Sequence, residues 1–489
     1  MIDGSAPTPQ TGPEGTFDTR MASNAVWLLV AQISALAAGL VVVVTITRVL
    51  GAGDLGRWRF AQAVTALLLV LSDAGLTALA IREIARHPDE VARYGRPVMR
   101  VRLVIATGLL IALAILLVLA SPDPASAQIT LLVALGLLPA ALSATYLFQG
   151  REAMGPVSRL RTASLIVAAI AAIIGTIVVG TLVAAVVPFL LASIGVAAVT
   201  MMWAGRAGYL ESDTSPRISP WSLIVPAAPF LLAALAVQVI FNADAFIIRA
   251  FRGEEELGLY AAPYSIAGYS LILGGAVMSA AYPRIASLEH LDPHAAVAAL
   301  VDDLSAVMGV LAVPASVGVI LVADLLVVAL FGPAFIESGP ILAVLMTLPL
   351  LGFLNMTLGQ ALTARGLPGP VAGVAVVAAT LNVLLNLFLV PRLGGIGAAI
   401  SVAITELVTI VLYVRVNWRR GAAAPVRHYF DCLPATLVMA AVVAFGRVVV
   451  GLPLALLVAL GIVSFLLGSL VFPSRGLAIL RQIAPGVRR

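Results

Sequence analysis

Runs of apolar residues long enough to cross a lipid bilayer dictate what this chain can become. Phe60 to Ile81 is one such run; at about 1.5 Å of rise per residue it crosses the roughly 30 Å hydrocarbon slab as one helix. It holds one carboxylate, Asp73, and arginines crowd both flanks: Arg48, Arg57 and Arg59 before it, Arg82 and Arg86 after it. An ionisable group at membrane depth faces a protein interior or a wet cavity, because lipid cannot solvate it. The same grammar recurs, with spans expected near 24–47, 60–81, 99–120, 128–148, 160–179, 181–203, 223–248, 259–281, 304–323, 340–363, 370–390, 396–416, 433–450 and 453–472. Only a glycine turn at Gly180 separates the fifth from the sixth. Hydrophobic residues make up 61% of the 489 and charged residues 11%, and the mean hydropathy is +1.08. Barrel strands alternate apolar and polar positions, and these runs do not. The expected fold class is an all-α integral membrane protein of about fourteen transmembrane helices.

Missing residue types exclude several chemistries. All 29 basic residues are arginine; a Walker A loop and a pyridoxal Schiff base each need a lysine. Cys432 is the only cysteine, so an internal disulfide and a cysteine-held zinc or iron–sulfur cluster are ruled out. No cofactor and no metal is expected. Residues 1–22, rich in Pro, Gly and Thr, read as a disordered cytoplasmic tail, without the basic start and short apolar core of a signal peptide. The excess of five positive charges follows from placement and does not point to nucleic acid. With the N-terminus inside, 22 arginines fall on the cytoplasmic side and 7 outside: Arg48, Arg57, Arg59, Arg249, Arg252, Arg392 and Arg447. That bias is the positive-inside signature, and it puts both termini in the cytoplasm. No loop is large enough for a soluble catalytic domain.

Two matches mark an internal repeat. Arg151 to Val157 (REAMGPV) follows span four and Arg365 to Val371 (RGLPGPV) follows span ten. Arg48 with Leu55-Gly56-Arg57-Trp58 is echoed by Arg249 with Leu257-Gly258-Leu259-Tyr260. Six spans separate the copies, so both face one side and the halves relate by a parallel pseudo-two-fold axis. The expected layout is a tail over 1–22, an N-lobe over 23–205 (spans one to six), a C-lobe over 221–416 (spans seven to twelve), two added spans over 432–473 and a cytoplasmic tail over 474–489.

These segments carry a family likeness. TRVLGAGDLGRWRFAQA with SDAGL and REIAR, NADAFIIRAF with LGLYAAPYSIA, AAYPRIASL, ALFGPAFIESGPILAVL, GQALTARG and LNVLLNLFLVPRLGGIGAAISVAI cover most of residues 24–416. In order and spacing the chain resembles polysaccharide flippases of the Wzx type, in the superfamily that also holds lipid II flippases and MATE antiporters. The resemblance implies two six-helix lobes around a central cavity and export of a lipid-linked oligosaccharide by alternating access. It does not fix the sugar, and no catalytic residue is carried over.

Candidate site residues follow from chemistry. Gly51-Ala-Gly53-Asp-Leu-Gly56 is a literal GxGxxG, but it follows a transmembrane helix rather than a strand, so the glycines read as a tight turn, not a nucleotide site. His290 and His294, with Glu289 and Asp292 near and Pro293 between, read as a solvated elbow rather than a metal site. Glu406, Asp73 and Asp244 are the candidate ion-coupling carboxylates, with Glu406 nearest the middle of its span; the alternative is a packing ion pair, for instance Asp244 with Arg48 or Arg249. Arg48 and Arg249 are candidates for a pyrophosphate, because a guanidinium binds phosphate through two parallel bonds; interfacial snorkelling is the alternative. Arg82 and Arg86 would meet an incoming headgroup or act as anchors. Gln62, Asn242, Asn355 and Gln360 suit hydrogen bonding to a glycan, and with Gln32, Gln238, Asn382 and Asn386 they also suit interhelical bonding. Pro314 and Pro349 lie inside spans and can kink them.

The function expected is a secondary transporter, not an enzyme. It would flip an undecaprenyl-pyrophosphate-linked oligosaccharide across a bacterial inner membrane, with the lipid-linked glycan, membrane lipids and other glycan-assembly membrane proteins as partners. The alternatives are a MATE-like ion/drug antiporter, a lipid II flippase, or a membrane polymerase or glycosyltransferase, which would need a sizeable catalytic loop.

Overall fold

The computed structural model describes residues 37–120, 123–210, 220–289, 295–419 and 426–483. The tail expected before residue 23 and the His290/His294 elbow lie outside them. Among the described residues every regular element is a helix. Among these residues twelve helices are long and apolar enough to cross a membrane, thirteen when one bent pair counts as a span, and α1, Ala37–Val49, stands where the first span is expected. The large apolar side chains on the outside, such as Val118 at 84% exposure, suit a chain whose solvent there is lipid.

The span expected at 60–81 is two helices. α2 runs Ala52–Asp73 and α3 Leu76–Arg86, bent by 46°. Between them Ala74 and Gly75 both take left-handed φ, 50° and 76°, which a right-handed helix cannot continue through. The start moves too: Gly51 at φ 89° and ψ −173° caps α2, a conformation that suits glycine, so Arg57 and Arg59 lie inside the helix rather than in a loop. Asp73 becomes the last residue of α2, where it accepts hydrogen bonds from the Thr77 amide and hydroxyl. After α4 (Val91–Ala120), the span expected at 128–148 is divided into α5 (Pro124–Ala134), α6 (Leu137–Leu142) and α7 (Thr145–Gly150). The Gly180 turn is as expected: α8 (Met154–Val179) ends there, Gly180 takes φ 68°, and α9 (Leu182–Arg206) follows.

The second half repeats the first. α10 (Ile224–Arg252) leads to Gly253, whose φ 89° and ψ −174° match those of Gly51, and then to α11 (Glu254–Glu289), which runs unbroken where α2 and α3 bend. α12 is Ala295–Leu321, and α13 (Ala323–Phe331), α14 (Ser338–Leu345) and α15 (Thr347–Ala364) echo α5, α6 and α7. α16 (Pro368–Leu393) and α17 (Gly395–Arg419) turn at Gly394, φ 62°, and have the same lengths, 26 and 25 residues, as α8 and α9. The short α18 (Val426–Tyr429) precedes α19 (Leu433–Phe445) and α20 (Leu454–Val471). α19 packs on α12, and α21 (Arg475–Ile483) ties to α12 through an Arg475–Asp303 ion pair at 2.7 Å.

The halves meet most closely where α2 crosses α11. A Cβ on Gly56 would collide with the Glu254 carbonyl, and a Cβ on Gly258 with the Ala52 carbonyl. Each glycine therefore admits the first turn of the opposite helix, a reciprocal contact of small residues that lets transmembrane backbones touch.

Candidate functional site

Just past that crossing the two halves part around a cavity of about 540 Å³. Its walls come from α1 (Val43), α2 (Trp58, Arg59, Gln62), α10 (Phe241, Asn242), α11 (Tyr264, Ser265, Tyr269) and α15 (Met356). Arg59 and Gln62 share a face because they are three residues apart on α2. The Arg59 guanidinium is held from behind. Its Nη1 donates to Asn242 Oδ1 at 3.0 Å and its Nη2 to the Phe241 carbonyl at 3.1 Å. Asp244 lies 4.0 Å away, and the Tyr264 ring centroid lies 5.8 Å from the guanidinium carbon. Asn242 is itself oriented by donating to Gln238 Oε1 at 2.8 Å. The cation is thus fixed by one lobe while carried on a helix of the other.

Asp244 is buried and turned from the cavity. Its Oδ2 accepts from the Tyr260 hydroxyl at 2.7 Å and its Oδ1 from the Ala245 amide at 2.8 Å. The arginine beside it is Arg59, not Arg48 or Arg249. Glu406 lies in the same half as Asp244, on α17, where its Oε2 accepts from Asn355 Nδ2 at 2.6 Å and no ion-pair partner is present among the described residues. Asn355 also donates to the Glu406 carbonyl at 3.0 Å, and its own Oδ1 is buried without a donor. Gln360 is half-buried on α15 and outside the cavity wall. Asp73 pairs with Arg102, Oδ1 to Nε at 3.2 Å.

The two arginines singled out from sequence serve other groups. Arg48 donates to the Leu330 carbonyl at 2.8 Å and to the Ala329 carbonyl, fastening α1 to the end of α13. Arg249 donates to Glu254 Oε1 from Nε at 3.1 Å and Nη2 at 3.0 Å, donates to the Ser126 hydroxyl at 3.0 Å, and stacks over Phe60 with its carbon 3.8 Å from the ring centroid. Glu254 also receives Arg57, which bridges Glu254 (2.9 Å), Asp54 (2.9 Å) and Asp123 (3.1 Å). This ionic cluster ties α2 and the start of α5 to α10 and α11 at the Gly51/Gly253 end. Asp123 caps α5: partial desolvation pushes its carboxyl up, but the Ala125 and Ser126 amides and Arg57 outweigh that and hold it below the ordinary aspartate range. Groups of three or more residues able to hold a metal are absent among the described residues.

Comparison with known proteins settles the ancestry. A family model described as polysaccharide biosynthesis protein matches residues 21–289, more than half of the chain. The chain belongs to that family. Among curated proteins it is similar to "Probable flippase AglR" of Haloferax volcanii, 32% identical over 176 residues, 35% of this chain and 37% of that one. It is also similar to "Probable low-salt glycan biosynthesis flippase Agl15" of the same organism, 24% identical over 170 residues. The chain thus covers little more than a third of the length of these relatives. Among solved structures it shares the fold of the lipid II flippase MurJ in its inward closed conformation, with a TM-score of 0.72, 13% identity and coverage of 91% of this chain and 98% of that one. An inward-facing MATE multidrug transporter follows with a TM-score of 0.57, 17% identity and coverage of 81% and 98%.

Within this family fold, sequence reasoning placed Gln62 and Asn242 in the cavity region and missed Arg59, Tyr264 and Tyr269 as its lining. The signal available for Arg59 was its spacing of three from Gln62, which matters only once the helix is known to begin at Ala52.

Proposed function

We propose that the chain is a non-enzymatic transporter that flips a lipid-linked oligosaccharide across the membrane by alternating access of its two lobes. The observation that carries this reading is the fixed Arg59 guanidinium facing a cavity that also presents Gln62 and Tyr264. The hydrogen-bond acceptors of Arg59 are a neutral amide and a carbonyl, while the one nearby carboxylate, Asp244, stands off at 4.0 Å and gives its oxygens to Tyr260 and the Ala245 amide; a guanidinium so placed matches the paired oxygens of a phosphate. Both curated relatives are named flippases, one of glycan biosynthesis. The lipid-linked headgroup we assign is a polyprenyl pyrophosphate. With a bacterial inner membrane and cytoplasmic termini as the setting, this is the undecaprenyl form, and other glycan-assembly membrane proteins act before and after it.

Glu406 is our first candidate for coupling to an ion gradient, because a carboxylate without a cationic partner takes up a proton whenever its surroundings dry. Asp73 and Asp244 rank after it, since each has an arginine within 4.0 Å. Arg48 and Arg249 fall behind Arg59 as phosphate ligands, because both are engaged by carbonyls or by Glu254. A MATE-like drug antiporter would favour an acidic cavity for cationic drugs; here the charged wall group is an arginine. Cells lacking the chain should accumulate the lipid-linked glycan on the cytoplasmic leaflet, measured by its protection from an impermeant oxidant. Normal appearance of the glycan outside, or efflux of cationic dyes by the purified protein, would replace this reading.

A further inference from the structure

A second cavity, of about 460 Å³, lies wholly within the N-terminal half, away from the α2/α11 crossing. α4 contributes Arg102, α6 and α7 contribute Ser143, Thr145 and Gln149, and α8 and α9 contribute Arg161 and Ser193. Arg102 is neutralised by Asp73 and also donates to the Ala140 carbonyl at 2.6 Å. Arg161 is different: it has no hydrogen-bond or ion-pair partner among the described residues and is exposed into the cavity. The net charge this pocket offers a visitor is therefore positive.

The pocket borders the lipid-facing surface of the bundle. An apolar groove of about 450 Å³ runs between α8 and α9 on the outer surface of the bundle, and it shares Ser164 and Ala192 with the pocket. Small residues, Ala163, Ala168, Ala171 and Gly195, leave space unfilled there, and Val167 and Leu191 beside them are 65% and 60% exposed to the surroundings. A cationic pocket thus lies directly beside an apolar groove on the lipid-facing side, with Ser164 and Ala192 lining both. Arg161 sits toward the start of α8, close in sequence to Arg159 on the same helix and to Arg151 just before it.

We propose that this pocket seats the anionic headgroup of a bilayer phospholipid whose acyl chain lies in the α8/α9 groove. A free phosphate ion fits the charge but leaves the apolar groove without a purpose; a phospholipid uses both parts. The volume suits a small-molecule headgroup, and one arginine facing an anionic headgroup near the membrane surface contributes about 1 kcal/mol. The site is separate from the central cavity and does not depend on the transport reading.

The test is the motionally restricted fraction of spin-labelled phosphatidylglycerol, against spin-labelled phosphatidylcholine, for the full chain in phosphatidylcholine vesicles. We expect phosphatidylglycerol to be held in excess, and Arg161→Gln to cut that excess about fivefold in relative affinity. Ala192→Leu, which adds bulk where pocket and groove meet without touching charge, should also reduce it, while Arg206→Gln at the end of α9 should not. Equal restriction of the two lipids, or an excess reduced alike by Arg161→Gln and Arg206→Gln, would overturn the proposal, since it would show only general attraction to surface arginines. Displacement by millimolar inorganic phosphate, at matched ionic strength, would likewise overturn it in favour of the free ion.

Discussion

Gly56 and Gly258 are reciprocal: each occupies the fifth position of its helix, and each leaves room for the first carbonyl of the other, that of Glu254 and of Ala52. The crossing they allow draws the two halves together beside the cavity. Gly56→Ala and Gly258→Ala should each force the helices apart and lower thermal stability in detergent, by roughly 1–3 kcal/mol as overpacking does. Gly53→Ala is the matching control, because a Cβ there meets nothing within 4 Å. Equal melting temperatures for Gly56→Ala and Gly53→Ala would show that the crossing is looser than described.

The ionic cluster at the same end should hold the lobes together in a charge-dependent way. Arg57→Gln removes three ion pairs at once, to Asp54, Asp123 and Glu254. Since Arg57 is a third exposed, the cost to stability is small, about 1 kcal/mol or less. The larger expected effect is conformational: a cysteine placed at Trp58 should react faster with an impermeant thiol reagent from the Arg57 side in the Arg57→Gln background. An unchanged rate would separate this cluster from gating.

The cluster also sets a pH dependence. Because the Asp123 carboxyl is held below its ordinary range in the folded chain, its contribution is fully present above the unfolded value and is lost as pH falls through the folded one. The stability difference between the parent and Asp123→Asn should be constant at neutral pH and shrink only in acid, below the usual aspartate range. A difference that shrinks instead between neutral and alkaline pH would mean another group is responsible.

The Asp73–Arg102 pair and Glu406 should behave oppositely. Asp73→Asn leaves the Arg102 guanidinium, 11% exposed, without its counter-charge, and should reduce the level of folded protein by up to about 3 kcal/mol in stability. Adding Arg102→Gln should recover part of the loss. Glu406→Gln leaves no cation stranded, so it should fold normally, and proteoliposomes carrying it should lose their response to an imposed proton gradient. If Glu406→Gln responds as the parent does, proton coupling through Glu406 is wrong.

Much of the architecture was legible in the sequence for a simple reason. Lipid imposes one solution on a long apolar run, so the runs, the Gly180 turn and the repeat of REAMGPV in RGLPGPV could be read directly. The break after Asp73 was not, because Ala74 and Gly75 are apolar enough to pass for helix and only their backbone angles stop it. The site was half legible. Residue type picked out polar groups in apolar spans, Gln62, Asn242 and Glu406, but it does not say which partner each one meets. Arg48 and Arg249 share Arg59's chemistry and differ from it only in what the fold sets against them: carbonyls of α13, the Glu254 carboxylate, or an open cavity.

Flipping of a lipid-linked oligosaccharide by the purified chain in proteoliposomes, parent against Arg59→Ala, tests the assignment of the central cavity most directly. A charged hydrogen-bonding group lost from a binding site costs about 1.5–3 kcal/mol, so Arg59→Ala should flip at least about tenfold more slowly at equal reconstitution. Arg59→Lys should recover only part, since a point charge cannot copy the planar fork. Gln62→Ala, on the same face of α2, should slow flipping more mildly. Transport at the parent rate by Arg59→Ala, in protein that elutes and melts as the parent does, would contradict the account and move the substrate out of this cavity.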